Sequence, residues 1–313
     1  MFRYILKRVV ATIPVMGVVT IFVFLMLRLS PGDPAAVIAG DYATGDDIER
    51  IREKLGLADP ILVQFWNWLG QILTGDLGIS IFTNLPVTTL IAQRLEPTLM
   101  LSLTTLTFSV IVAVPLGTIA AWRAGGWLDR GIMVFSVAGF SIPVFVLGYM
   151  LIYVISLKLG WLPVQGYRPL SDGLWPFLSH IMLPTLTLSA IYIALIARIT
   201  RASVIEVLQE DYIRTARAKG QSETLVLVRH ALANAAVPIV TVIGLGVALL
   251  IGGVVVTESV YNIPGLGRLV LDAVLKRDYP IIQGLILLFS FVYILVNLVV
   301  DLLYTVLDPR IRY

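Results

Sequence analysis

The chain has 313 residues and a net charge of only +3; 58% of its residues are hydrophobic and 14% are charged. An average soluble domain carries about 25% charged residues, so this chain has too little polar surface to cover a globule of its size. A mean hydropathy of +0.91 and the absence of cysteine exclude a disordered chain, a collagen, a coiled coil and a disulfide-stapled secreted fold, and predict an integral membrane protein.

Six uncharged runs are each long enough to cross a hydrocarbon core of roughly 30 Å, which takes about 20 helical residues. The first run follows three basic residues, as the apolar part of a signal peptide does. It is longer than a typical signal and lacks a convincing cleavage site, so we expect an uncleaved span. The runs are 9–27, 97–122, 131–157, 173–197, 231–257 and 279–300.

The placement of Lys and Arg predicts that both termini are cytoplasmic. With the N-terminus inside, the four inner segments hold 13 of the 23 basic residues. Four of the other ten lie in one long outer loop, where basic residues have little influence on orientation. The inner segments are 1–8, 123–130, 198–230 and the tail after residue 301.

The chain divides into four predicted regions around these spans. The N-terminal segment and first span occupy 1–29, and an extracytoplasmic loop with short helices occupies 30–96. A transmembrane core of five helices, which includes the cytoplasmic segment 198–230, follows at 97–300, and a cytoplasmic tail at 301–313.

The outer loop at 30–96 is expected to contain two short helices. Thr44 is a candidate N-cap for the first, and Gly56 ends it. The second, at 61–73, has an amphipathic pattern with three aromatic residues, which favours anchoring at the membrane surface over stacking on a ligand. These aromatic residues are Phe65, Trp66 and Trp68.

The inner segment at 198–230 is expected to form two short helices joined at Gly220. Apolar residues recur at spacings of three and four up to Ala216, and Ser222 with Glu223 is a candidate cap for the second helix. Gly220 would let the chain turn sharply where a side chain would obstruct it. Two interpretations are open: a rigid handle for a partner protein, or a basic loop attracted to anionic lipid head groups.

The residue constellations of soluble catalysis are missing. His180 and His230 are the only histidines, and they are predicted on opposite sides of the membrane, which argues against a zinc site. No G-x-x-x-x-G-K-[ST] sequence occurs, so the chain has no P-loop of its own. The uncharged spans argue against a proton-driven carrier, because such carriers use ionisable groups inside the membrane, although sodium sites built from carbonyls stay open.

The loop between the last two spans is expected to form a re-entrant turn or a short helix at the outer end of the helical bundle. Its glycines lack the spacing of a dinucleotide-binding loop. Three roles stay open for its polar residues: surface ion pairs, an outer gate, or docking of a binding protein. The candidate gate or docking residues are Glu258, Pro264, Gly265, Gly267, Arg268, Arg277 and Asp278.

The inner segment resembles the coupling segment of ABC importer permeases, whose pattern is E-A-A, three residues, G, nine residues, I-x-L-P. Ala216, Gly220 and Leu232 keep that pattern, whereas its Glu, second residue, Ile and Pro are replaced. The sequences R-T-A-R-A-K-G at 214–220 and R-H-A-L-A-N-A at 229–235 resemble those of the peptide-importer branch of the family, in which these replacements are usual.

Motifs along the rest of the chain resemble the same branch. Together they run from end to end, so the chain is identified as similar to the B-type permease of a dipeptide/oligopeptide ABC importer, to which glutathione permeases are related. The motifs are L-S-P-G-D-P-A at 29–35, G-D-L-G-I-S at 75–80, E-S-V-Y-N-I-P-G-L-G-R at 258–268, R-D-Y-P-I-I-Q-G at 277–284 and L-D-P-R-I-R-Y at 307–313.

The resemblance implies an all-α fold of six transmembrane helices, type I ABC importer permease-like, in the bacterial inner membrane. It implies a second homologous permease, one or two P-loop ATPase subunits, an extracytoplasmic solute-binding protein and membrane lipid as partners, and no nucleic acid. This chain would hold no cofactor and catalyse no reaction, since ATP and Mg²⁺ belong to the ATPase subunits. The implied ATPase-coupling residues are Tyr212, Arg214, Thr215, Ala216, Arg217, Ala218, Lys219 and Gly220.

Three alternatives remain beside a peptide importer. The same architecture carries glutathione, nickel chelates or opines in relatives of the family. A self-contained carrier or channel is disfavoured by the uncharged spans, and a membrane-embedded enzyme by the missing catalytic groups.

Overall fold

The computed structural model describes residues 2–29, 35–36, 44–54 and 57–307. Over these ranges the chain is helical, apart from loops and one isolated bridge between Ile79 and Pro86. Three sequence predictions lie wholly or partly outside the described residues: the motif at 29–35, the helix end at Gly56 and the tail motif at 307–313.

Helices lie along each of the six apolar runs, in the same order. The predicted bounds of the helix at 61–73 are confirmed. The helices are α1 (Phe2–Leu29), α2 (Gly45–Lys54), α3 (Ile61–Leu73), α4 (Val87–Trp122), α5 (Trp127–Ser141), α6 (Val144–Leu151, continued by a π-helix at Ile152–Lys158), α7 (Leu174–Leu208), α8 (Asp211–Ala218), α9 (Glu223–Leu225, continued by a π-helix at Val226–Leu232), α10 (Ala236–Val260), α11 (Leu266–Lys276) and α12 (Tyr279–Leu307).

Four helical segments of the described residues are long and apolar enough to cross a membrane, and up to six if each of two bent helix pairs is one span. The single segments lie in α1, α4, α7 and α12. The bent pairs are α5 with α6 and its π-helix, at 103°, and α9 and its π-helix with the first half of α10, at 63°.

Proline accounts for both bends. Pro143 is the N-cap of α6; it lacks an N–H, and its ring restricts the residue before it, so α5 ends there. Pro238 lies in the first turn of α10, where proline is tolerated, whereas its ring and its missing N–H disfavour a regular helical turn before it, where the chain bends. The third apolar run is therefore two helices joined at a sharp bend.

The centre of the bundle is the contact between α4 and α7. A Cβ at Gly117 of α4 would lie 2.5 Å from the carbonyl oxygen of Ala197 and 2.7 Å from Cβ of Thr200, both on α7. The absence of a side chain at Gly117 lets the two backbones approach closely. Leu101 and Ile196, both fully buried, belong to the same apolar core.

The first and last helices run antiparallel. Arg8 and Asp301 form an ion pair of 2.8 Å at one end, and Gln283 Nε2 donates to the carbonyl oxygen of Val23 at the other, over 2.9 Å. The start of α1 and the end of α12 consequently lie on the same side of the bundle.

The bundle has two ends with different contents. At the α8 end, Ala121 of α4, Val204 of α7 and Ile239 of α10 share a buried cluster with Ala231 and Ala235. The opposite end carries α11, which packs against α4, α10 and α12. The two sets of candidate residues therefore lie at opposite ends of the bundle.

Candidate functional site

The α8 segment is a short amphipathic helix that packs on its neighbours in sequence. Ile213 is fully buried and Ala216 nearly so, and they form a buried cluster with Val226 of the following π-helix; Val207 and Leu208 at the end of α7 pack against this cluster. This contact couples the position of α8 to the end of a 35-residue spanning helix.

The segment differs from the two helices expected at 198–230. Residues 198–208 continue α7, the chain breaks at Gln209 and Glu210, and α8 begins at Asp211. The break turns the chain so that Ile213 packs back on Val207, which a continuous helix would prevent. The predicted start of the next helix at Glu223 is confirmed, and Ser222 occupies the N-cap position, but its side chain makes no capping hydrogen bond.

The outward face of α8 is polar and basic. Arg214 pairs with Asp211 at 3.1 Å, and Arg217 pairs with Glu223 at 2.8 Å. Of the eight candidate coupling residues, only Ala216 is buried. The exposed ones are Tyr212, Arg214, Thr215, Arg217, Ala218, Lys219 and Gly220.

Gly220 makes the turn that follows α8. Its φ is +79°, in the left-handed region that favours glycine, and its N–H donates to the carbonyl oxygen of Arg217 over 2.9 Å. A Cβ at this position would meet no atom of this chain within 4 Å. Glycine is required here by the left-handed backbone conformation. It is not required by space, because a side chain would clash with nothing in this chain.

An ion pair with a buried carboxylate, between α5 and α7, was not found by sequence reasoning. Arg201 of α7 donates from Nε and Nη2 to the two carboxylate oxygens of Asp129, in the first turn of α5. The backbone N–H of Gly125 donates to the same carboxylate over 2.8 Å. The partners are 72 residues apart, so no local pattern indicates the pair.

At the other end of the bundle, Glu258 joins three helices. Its side chain is fully buried; Oε1 accepts a hydrogen bond of 2.5 Å from Thr98 of α4, and Oε2 accepts one of 2.9 Å from the backbone N–H of Arg268 in α11. Thr98 in turn accepts from the N–H of Leu266 over 2.7 Å. The first N–H groups of α11 have no partners within the helix, and the positive end of the helix dipole lies there. Both features stabilise the negative charge of the Glu258 carboxylate.

Two candidate glycines leave room for this carboxylate. A Cβ at Gly265 would lie 2.0 Å from Oε1 of Glu258, and one at Gly267 would lie 2.7 Å from Cα of Val255. The sequence Pro264-Gly265-Leu266-Gly267 thus forms a close contact between the start of α11 and the end of α10. Pro264 itself is exposed.

The remaining candidates of this loop separate into two groups. Arg268 lies beside Glu258 and donates from its side chain to Asn262. Asp278 is buried at the far end of α11, where it accepts a hydrogen bond of 2.6 Å from Ser80, and Arg277 before it has a left-handed φ of +57°. The buried carboxylates of Glu258 and Asp278 therefore hold the two ends of α11 rather than forming surface ion pairs.

The loop after α6 covers the same end. Gly166 N–H donates to the carbonyl oxygen of Tyr261 over 2.9 Å, and Tyr167 donates to Glu96 over 3.2 Å. Burial, followed by the charge of Glu96 and the hydrogen bond to it, raises the pKa of the Tyr167 phenol. The phenol therefore stays protonated at neutral pH and keeps its donor role.

Family models match nearly the whole chain. Residues 113–313 match the binding-protein-dependent transport system inner membrane component, and residues 1–104 match the N-terminal region of the same kind of membrane component. The chain belongs to this family. It is a multi-pass inner-membrane permease component, and the first match covers α7, α8 and α11 together.

Two similar relatives extend over the full length. The probable peptide ABC transporter permease protein y4tP of Sinorhizobium fredii is 57% identical over 310 residues, which are 99% of each chain. The glutathione transport system permease protein GsiC of Escherichia coli K12 is 48% identical over 313 residues, which are 100% of each chain.

A solved structure shares the fold. A chain from the inward-facing MetNI methionine ABC transporter superposes with a TM-score of 0.59 at 16% identity, and the match covers 70% of this chain and 96% of that one. The predicted all-α, type I ABC importer permease fold is confirmed.

Proposed function

We propose that this chain forms half of the translocation pathway of an ATP-driven importer for di- and oligopeptides. The proposal is carried by identity over the full length to a protein described as a probable peptide ABC transporter permease, together with an exposed short helix, α8, that packs on a spanning helix. In this proposal the chain itself catalyses no covalent reaction.

ATP-driven movement enters the bundle through α8. A partner ATPase docks on the exposed residues of α8 and Gly220, and ATP with Mg²⁺ is held by that partner. Because α7 rises about 1.5 Å per residue over 35 residues, it acts as a rod that carries movement from the α8 end towards the α11 end. Rigid-body motion of this kind alternates access between the two sides of the membrane.

The remaining partners follow from this arrangement. A second homologous permease completes the pathway, one or two P-loop ATPase subunits form the nucleotide-binding pair, and a solute-binding protein delivers cargo at the α11 end. Both termini are cytoplasmic, which agrees with the Arg8–Asp301 ion pair that places the start of α1 beside the end of α12.

Glutathione is the second candidate cargo, favoured by 48% identity over the whole chain to a glutathione permease. We expect a strain that lacks this chain to lose uptake of a labelled dipeptide, and the restored gene to return it. Competition by excess unlabelled tripeptide and by glutathione ranks the two cargoes. Equal uptake of dipeptide, tripeptide and glutathione with and without the chain would contradict the proposal.

A further inference from the structure

The Asp129–Arg201 ion pair is a bidentate connection between α5 and α7, in which the Asp129 carboxylate is buried and the Arg201 side chain is 28% exposed. Asp129 is 3% exposed, and its carboxylate accepts two hydrogen bonds from the Arg201 guanidinium and one from the N–H of Gly125. The side chain of Asp129 therefore ties the loop before α5 and the first turn of α5 to a single point on α7.

Stability alone gives little reason for such a pair. Desolvating the buried carboxylate offsets much of its attraction to the guanidinium, and apolar residues of similar size often stabilise a protein equally well. A guanidinium that holds both oxygens of a carboxylate instead fixes distance and orientation. The pair is suited to keeping α5 and α7 in register while the bundle moves.

Its position on α7 is close to the coupling segment. Arg201 precedes the end of α7 at Leu208 by two turns, and α8 packs on that end through Ile213. Farther along, α5 contacts α7 closely, since a Cβ at Gly139 would lie 3.1 Å from the carbonyl oxygen of Ala190. Movement of α8 thus reaches α5 at its first turn before it reaches the middle of the bundle.

We propose that Asp129 and Arg201 are positioning residues of the transport cycle: their pair makes the loop at 123–126 and α5 move with α7 when α8 is displaced. The inference rests on the proposed function. It assigns to the α5–α6 pair, which is bent at Pro143, a driven role in the cycle.

The test measures substrate imported per ATP hydrolysed by the complete transporter in proteoliposomes. The double variant Asp129→Asn/Arg201→Met removes the connection without leaving an unpaired buried charge. We expect it to assemble and to hydrolyse ATP, with import per ATP reduced at least tenfold. Import per ATP equal to that of the wild-type transporter would overturn the proposal.

A second variant keeps the test decisive if the first does not assemble. Arg201→Lys retains a cation beside Asp129 but replaces the rigid fork with a single flexible donor. We expect normal assembly and thermal stability, with import per ATP reduced at least threefold. An unchanged ratio in Arg201→Lys would likewise overturn the proposal.

The matched control is the exposed ion pair between Arg168 and Asp172, at 3.5 Å in the loop at the α11 end. Asp172→Asn should leave import per ATP unchanged. If the wild-type chain neither recruits an ATPase nor couples import to ATP, the proposed function itself fails. If the wild-type chain couples and the pair variants couple equally well, only this inference fails.

Discussion

Glu258 is the residue on which the α11 end depends most. Its carboxylate is buried among donors from α4 and α11, and an unpaired carboxylate at this depth would be costly. The sequence predicted it in the loop between the last two spans because it follows an apolar run, and its partner Thr98 lies 160 residues away. Gly265 is explained by the same contact, since no side chain fits beside this carboxylate.

Gly265→Ala should destabilise the protein because its Cβ must displace the Glu258 carboxylate from its donors. Overpacking of this kind costs about 1–3 kcal/mol, so for a chain of this length we expect the thermal unfolding midpoint in mild detergent to fall by roughly 2–5 °C. Gly70→Ala is the control, since Gly70 lies in α3 and a Cβ there would meet no atom within 4 Å. Equal midpoints for the two variants would contradict this account of Glu258.

At the scale of elements, we propose that α8 and the turn at Gly220 form the contact surface for an ATPase. Gly220→Trp adds a large side chain and disfavours the left-handed φ of +79°. We expect it to insert in the membrane at wild-type levels but to lose ATP-dependent import at least tenfold. The measurement is uptake normalised to the amount of inserted protein.

Gly160→Trp is the matched control for that variant. Gly160 also has a left-handed φ, of +65°, and open space around its Cβ position, but it lies in the loop after α6 rather than beside α8. Import should survive this change. Equal loss of import in both variants would show that backbone strain, and not a docking surface, causes the defect at Gly220.

The helix α3 has three distinct faces. Phe65 and Trp68 pack on Phe24 of α1, with ring centroids 5.1 and 5.5 Å apart. At 100° per residue, Leu62 and Trp66 share a second face, where they are 71% and 65% exposed. The third face carries Asn67 and Gln71. A helix lying in the membrane surface beside a spanning helix needs this division between protein, lipid and water.

Spin labels should distinguish these faces. The chain has no cysteine, so Leu62→Cys and Asn67→Cys each provide a single labelling site in this subunit. In lipid nanodiscs we expect a label at 62 to collide mainly with oxygen and a label at 67 mainly with an aqueous nickel chelate. Equal accessibility, or protection of both sites from both reagents, would contradict membrane anchoring by α3.

For the whole molecule, sequence patterns predicted those helix bounds and turns that are determined by residues close together in the sequence. The bounds of α3, the helix start at Glu223 and the turn at Gly220 all follow from local periodicity, capping and glycine. The angle at Pro143 could not be predicted, because it depends on packing against α7. The pairs Asp129–Arg201 and Ser80–Asp278 join residues 72 and 198 positions apart, so no local signal shows them.

The central claim, that this chain is one permease of a multi-subunit ATP-driven importer, is tested most directly by purifying the tagged chain in mild detergent. Mass spectrometry of the intact assembly identifies the subunits, and reconstitution measures import with and without ATP. We predict a second permease of this family, P-loop ATPase subunits and import only with ATP and a binding protein. A chain recovered alone that imports peptide without ATP would contradict the account.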